Sequence, residues 1–217
     1  MAQRLPYRPT ELPALSATVS ALIARGGLVA IPTETYYGVG ANPFDATALR
    51  RLAAVKGRPD GKPLLVLVGA REHVADLVAA TSPAAELLMA QFWPGPLTVV
   101  LPARDTLPVE LTAGTGTVGV RWTSCVPLAE LLKTVGPLTG TSANRSGDPP
   151  CSTADEVDRV LGSELDAIVD AGATPGGPAS TVVRVEGTQV QIVREGAVAS
   201  VRLEQALREQ GFRLKPS

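Results

Sequence analysis

Apolar residues at Leu12, Leu15, Val19, Leu22 and Ile23 recur at the spacing of one helix face, and the pattern stops at Gly26-Gly27, where glycine can end a helix. The following run, 28–31, is continuously apolar and breaks at Pro32 into Thr33-Glu34-Thr35. That predicts a short buried strand delivering hydroxyls at its exit. Asp45 is placed to cap a helix that carries Leu49 and Leu52 and ends at Lys56-Gly57. Residues 58–63 then read as loop and 64–68 as a buried strand. A short helix over 73–78 and a second opened by Ser82-Pro83 lead to the turn Trp93-Pro94-Gly95-Pro96. Strands are expected at 97–101 and 118–122, a helix at 128–135 and a strand at 138–141. Thr153 and Glu156 have the spacing of a capping box. Strands at 167–169, 181–185 and 190–193 and a helix over 203–209 complete the pattern. Strands alternate with helices almost throughout, which predicts a layered α/β fold with a largely buried mixed sheet.

The 217 residues contain no internal repeat and no linker that would divide two domains, so one domain is expected. A single histidine, His73, and two cysteines, Cys125 and Cys151, close off most imidazole and thiolate chemistry and all Cys/His zinc sites. His73 sits in a polar segment and reads as a surface or packing residue. Both cysteines lack a basic neighbour arranged to form a thiolate. The N-terminus has no apolar h-region and no run approaches the ~18 apolar residues of a membrane span, so a soluble, cytoplasmic protein is expected. Gly114 to Gly119 matches GxGxxG, but the residues after it read as strand rather than helix, so it is not a dinucleotide fingerprint. The Trp93 turn reads as a packing corner.

Net charge is −1, from 20 basic and 21 acidic residues, and exerts no global pull on nucleic acid. Locally, Arg50, Arg51, Lys56, Arg58 and Lys62 gather against one acid, Asp60, either as an anion site or as a solvated helix end. Hydroxyls, amides and cations also stand at predicted strand ends: Thr33, Thr35, Thr117, Arg121, Ser142, Asn144, Ser180 and Arg194. Guanidinium forks clamp anionic oxygens, and hydroxyls satisfy the remainder. None of these groups is a good base at neutral pH. The chemistry they suit is phosphoryl or nucleotidyl transfer driven by positioning and charge neutralisation.

At these residues the chain resembles the YrdC/TsaC family of threonylcarbamoyl-AMP synthases. The motifs that carry the likeness begin with Pro32-Thr33-Glu34-Thr35-Tyr36-Tyr37-Gly38, then Lys56-Gly57-Arg58-Pro59 with Pro63-Leu64, then Trp93-Pro94-Gly95-Pro96-Leu97-Thr98. Thr117-Val118-Gly119-Val120-Arg121, Ser142-Ala143-Asn144-Arg145-Ser146-Gly147, Ser180-Thr181-Val182-Val183 and Arg194-Glu195-Gly196-Ala197 follow in family order. The resemblance implies a three-layer fold with a twisted mixed parallel/antiparallel sheet around a basic cavity, in a single domain over 1–217 whose motif-bearing core runs from about 12 to 200. It implies condensation of L-threonine, bicarbonate and ATP into threonylcarbamoyl-AMP and pyrophosphate, with Mg²⁺, and delivery of the product to a tRNA-modifying transferase complex. Weak binding of tRNA or double-stranded RNA belongs to the same expectation.

By the same resemblance, Thr33, Thr35, Arg121 and Ser180 would face threonine, Arg121 as the partner of its carboxylate. Lys56, Arg58 and Lys62 would face the ATP phosphates, Thr117, Ser142 and Asn144 the nucleotide, and Arg194 would close over it. Lys56, Arg58, Ser142 and Asn144 would carry the catalytic step, and no protein-held metal is expected. Leu67 stands where many members have a His that would touch threonine, and Lys62 where they have Asn. With 217 residues, the second domain of the long family branch is not expected here. Two alternatives are a double-stranded RNA or ribosome-associated binding module and a carbamoyl-adenylate-forming enzyme of another pathway. The zinc fingers that accompany the latter could not be built from two cysteines.

Overall fold

Alternating strands and helices resolve into two mixed sheets rather than one. The computed structural model describes residues 1–57 and 63–215. In the first sheet β1 (Gln3–Pro6), β9 (Ala167–Asp170), β2 (Val29–Ile31), β3 (Gly38–Gly40) and β8 (Thr141–Ser142) are neighbours in that order. The second runs β12 (Arg213–Lys215), β11 (Gln189–Arg194), β10 (Thr181–Glu186), β5 (Leu97–Pro102), β6 (Thr117–Trp122), β4 (Leu65–Val68) and β7 (Leu138–Thr139). Both contain parallel and antiparallel pairs, as in β2 with β9 and β2 with β3. The helices are α1 (Leu12–Ala24), α2 (Ala46–Lys56), α3 (Pro83–Phe92), α4 (Val109–Thr112), α5 (Val126–Val135), α6 (Ala154–Leu161) and α7 (Ser200–Glu209), with 3-10 turns at Pro9–Glu11 and Arg71–Asp76. No helix among the described residues is long and apolar enough to cross a membrane.

Local chemistry explains the boundaries. The Asp45 carboxylate accepts from the Thr47 and Ala48 amides and starts α2, and Gly57, at φ 54°, ends it in the left-handed conformation. Thr153 and Glu156 form the reciprocal capping box of α6. Trp93 is buried, and its indole N–H donates to the Leu97 carbonyl at 2.6 Å, which makes the Trp-Pro turn a packing corner. Residues 117–122 are strand, so the GxGxxG match has no helix after it.

Glycine packing sets two further features. Residues 38–40 form a buried strand in which a Cβ on Gly38 would come within 3.2 Å of the Thr141 carbonyl and one on Gly40 within 3.1 Å of Leu138. The absent side chains permit close packing, which outweighs glycine's poor strand propensity. Residues 138–141 read as one strand but divide at Gly140: β7 ends in the second sheet and β8 begins in the first. Gly140 is therefore the crossover between sheets, and a Cβ there would lie 2.6 Å from both Cγ and Cδ1 of the fully buried Leu67. Gly140→Ala is expected to lower unfolding free energy by about 1–3 kcal/mol through overpacking, read as a fall in the denaturation midpoint. An unchanged midpoint would show that Leu67 can move.

Two apolar clusters hold the halves together. The smaller joins α1 and α5 to β2, β9, Leu67 and Leu138. The larger gathers α2, α3, α6 and α7 on strands of both sheets.

Candidate active site

A cleft of about 510 Å³ opens between the sheets, within the size range of small-molecule sites. On one wall Thr33 and Thr35 stand beyond the end of β2, and Ser142 and Asn144 at and after β8. On the other, Thr117 and Arg121 come from β6, Arg194 from the end of β11, and Ser180 from just before β10. These eight of the eleven residues anticipated from the sequence converge on one space. Arg58 and Lys62 lie outside the described residues.

Lys56 is placed differently. It is buried at the end of α2, and its ammonium donates to the Ser142 carbonyl at 2.5 Å, to the Asn144 carbonyl, and to Asn144 Oδ1 at 3.2 Å. The Asn144 amide in turn donates to the Arg145 and Asp148 carbonyls at 2.8 and 2.7 Å. Lys56 and Asn144 thus fix the backbone of the loop after β8 from beneath, leaving Ser142 exposed at its start.

The opposite end is organised by Arg121, which is only 4% exposed. Its Nε stands 3.3 Å from Oε1 of Glu34, an ion pair without an aligned hydrogen bond, and neither atom has another partner among the described residues. The other Glu34 oxygen accepts from the Thr123 hydroxyl at 2.6 Å. Arg121 and Thr123 are two residues apart at the end of β6, so both point to one side and reach the same carboxylate. The terminal nitrogens of Arg121 bond to none of the described residues, and they are not among its buried unpaired atoms. The guanidinium fork therefore opens on the cleft. Burial pulls its pKa below the ordinary arginine value, opposed by the Glu34 charge and reinforced by Arg194.

Hydroxyls complete this end. Thr33 Oγ1 donates to the Tyr36 carbonyl at 2.6 Å, accepts from the Thr35 amide at 3.2 Å and lies 3.2 Å from Thr35 Oγ1. Ser180 Oγ is 3.0 Å from Thr98 Oγ1, and Arg194 donates to the Ser180 carbonyl at 2.9 Å. Register carries the link across the floor, since Val182 pairs with both Arg194 and Thr98. Thr181 anchors the turn behind it, accepting from the Gly196 and Val198 amides at 2.9 and 3.0 Å. Glu34, Thr98, Thr123 and Thr181 were not singled out from the sequence. The signal for Glu34 was its place between two hydroxyl residues just beyond the exit of β2.

Leu67 is fully buried in the smaller core cluster, next to Arg121 in the β4–β6 register, and does not line the cleft. Arg50 and Arg51 leave the anticipated cationic run, pairing with Glu110 at 2.5 Å and Asp166 at 2.7 Å. His73 lies in the 3-10 turn Arg71–Asp76, away from the cleft lining. No group of three His, Cys, Asp or Glu among the described residues could hold a metal. Burial raises both Cys125 and Cys151 above the ordinary thiol value, which lowers the thiolate fraction at any given pH. Both should react with a thiol reagent at pH 7.5 about tenfold or more slowly than in the unfolded chain; equal rates would contradict this burial.

The Sua5/YciO/YrdC family model, described as telomere recombination, matches residues 21–196. The chain belongs to this family. It is 43% identical over 146 residues to the threonylcarbamoyl-AMP synthase of Thiobacillus denitrificans, covering 67% of this chain and 78% of that protein. To the threonylcarbamoyl-AMP synthase of Pyrococcus abyssi it is 36% identical over 198 residues, covering 90% of this chain and 57% of that one. The crystal structure of P. abyssi Sua5 complexed with L-threonine superposes with a TM-score of 0.89 at 33% identity, over 100% of this chain and 63% of the other. The chain thus spans less than two thirds of the P. abyssi proteins, and its likeness to this family covers both walls of the cleft.

Proposed function

We propose that this chain is an L-threonylcarbamoyladenylate synthase, a single catalytic domain of the cytoplasm. The observation that supports it best is the guanidinium fork of Arg121, whose terminal nitrogens have no partner among the described residues, in a cleft also lined by Thr33, Thr35 and Ser180. A planar fork among hydroxyl groups suits a small hydroxylated amino acid, with its carboxylate on the arginine. Threonine's amine combines with bicarbonate, losing water, to give N-carboxythreonine. The new carboxylate oxygen then attacks the α-phosphorus of ATP, the bond to the β-phosphate bridging oxygen breaks, and pyrophosphate leaves with that electron pair. The substrates bring their own nucleophile and leaving group, so a cleft without histidine suffices.

What the protein supplies is position and charge. Thr117, Ser142 and the loop held by Lys56 and Asn144 receive the nucleotide, Arg58 and Lys62 the phosphates, and Arg194, which donates to the Ser180 carbonyl, closes over the nucleotide from the amino-acid end. Magnesium enters with the ATP phosphates, whose oxygens are its natural ligands, rather than in a protein cage. The product goes to a tRNA-modifying transferase. Pyrophosphate release from Mg-ATP is expected to require threonine and bicarbonate together. Release that needs neither, or that carbamoyl phosphate supports in their place, would assign the cleft to other adenylate chemistry.

A further inference from the structure

We infer that Glu34 is a specificity-determining residue: its carboxylate, held between Arg121 and Thr123, sets the charge of the amino-acid end so that a zwitterion is accepted there and a phosphate is refused. This rests on the proposed reading of that end as the threonine pocket. Two guanidiniums, Arg121 from β6 and Arg194 from the end of β11, line the cleft from the same sheet, with β10 and β5 between their strands. A pair of arginines among hydroxyls is also what a phosphate group seeks. An enzyme that must hold ATP in the same cleft therefore faces its own substrate's phosphates as competitors for the amino-acid end.

Glu34 answers that problem through three features. It lies behind Arg121 at 3.3 Å from Nε, so it leaves the cleft-side nitrogens available. The Thr123 hydroxyl, at 2.6 Å, donates to its second oxygen and fixes the carboxylate in place behind the guanidinium. Its side chain is 11% exposed, so its field is only weakly screened. Repulsion from one fixed negative charge scales with ligand charge. A dianion is disfavoured most, whereas threonine, with no net charge, loses little. Glu34 also reaches from the exit of β2 to the end of β6, so the same contact ties the walls bearing Thr33 and Thr35 to the wall bearing Arg121.

The test compares L-threonine and inorganic phosphate binding by calorimetry without ATP, in the wild type, Glu34→Gln and Glu34→Asp. Glu34→Gln keeps the side-chain shape and removes the charge. The threonine-to-phosphate affinity ratio is expected to fall about tenfold or more in Glu34→Gln. The added phosphate binding should disappear in Glu34→Gln with Arg121→Ala, and Glu34→Asp should keep the wild-type ratio even if both affinities drop. A ratio unchanged in Glu34→Gln, or affinities that fall in parallel, would overturn the inference in favour of a packing role. If Glu34→Gln does not fold, Thr123→Val should move the ratio the same way by roughly threefold, and no movement there would overturn it equally. A wild type that binds no threonine, beside a Glu34→Gln variant that gains Arg121-dependent phosphate binding, would sink the threonine reading while leaving the charge role standing.

Discussion

Arg121→Met is expected to reduce kcat/KM for threonine by about a hundredfold or more, because it removes a buried guanidinium whose fork opens on the amino-acid end. The KM for ATP should change by no more than about threefold, since the nucleotide end is built from other residues. The variant should also be less stable by about 3 kcal/mol, because Glu34 would remain in place with its partner gone. Adding Glu34→Gln to Arg121→Met should restore much of that stability without restoring activity. Steady-state kinetics with each substrate varied, together with urea denaturation, separate the two effects. A double variant that recovered threonine turnover would show that the carboxylate anchor lies elsewhere.

The second large effect concerns Lys56. The family resemblance presents it as a lysine that faces the ATP phosphates. In the structure its ammonium holds two carbonyls and a side-chain oxygen of the loop after β8, and its own carbonyl accepts from the Ser146 amide at 3.3 Å. Lys56→Met should therefore cost about 2–4 kcal/mol of stability as well as about a hundredfold in kcat, because buried acceptors lose their donor and the nucleotide loop loses its support. Arg58→Ala is the contrasting variant, expected to lose activity with the melting temperature nearly unchanged. Equal stability of Lys56→Met and the wild type would return Lys56 to the role its motif suggests.

The sequence revealed different parts of this architecture unequally. Amphipathic helices and capped termini were legible, because Asp45, Gly57, Thr153 and Glu156 act within a few residues of themselves. The hydroxyl and cation set of the cleft was legible as motifs at strand ends. What stayed hidden depends on contacts between distant segments. Edge strands such as β1 and β12 are polar on exposed positions and exist through pairing with β9 and β11. The division at Gly140 is decided by Leu67, far away in the chain, and the role of Lys56 by a loop that follows it by more than eighty residues. Glu34 looked like one letter of a motif until β6 brought Arg121 and Thr123 to it.

An adenylate made in this cleft should carry both threonine and bicarbonate carbon, which double labelling reads. The protein would be incubated with Mg-ATP, threonine carrying one radiolabel and bicarbonate carrying another, with pyrophosphatase present, and the adenylate isolated. A single adenylate containing both labels in equal molar amounts, formed in step with the pyrophosphate released, is expected. An adenylate lacking either label, or none while ATP is consumed, would contradict the proposed reaction.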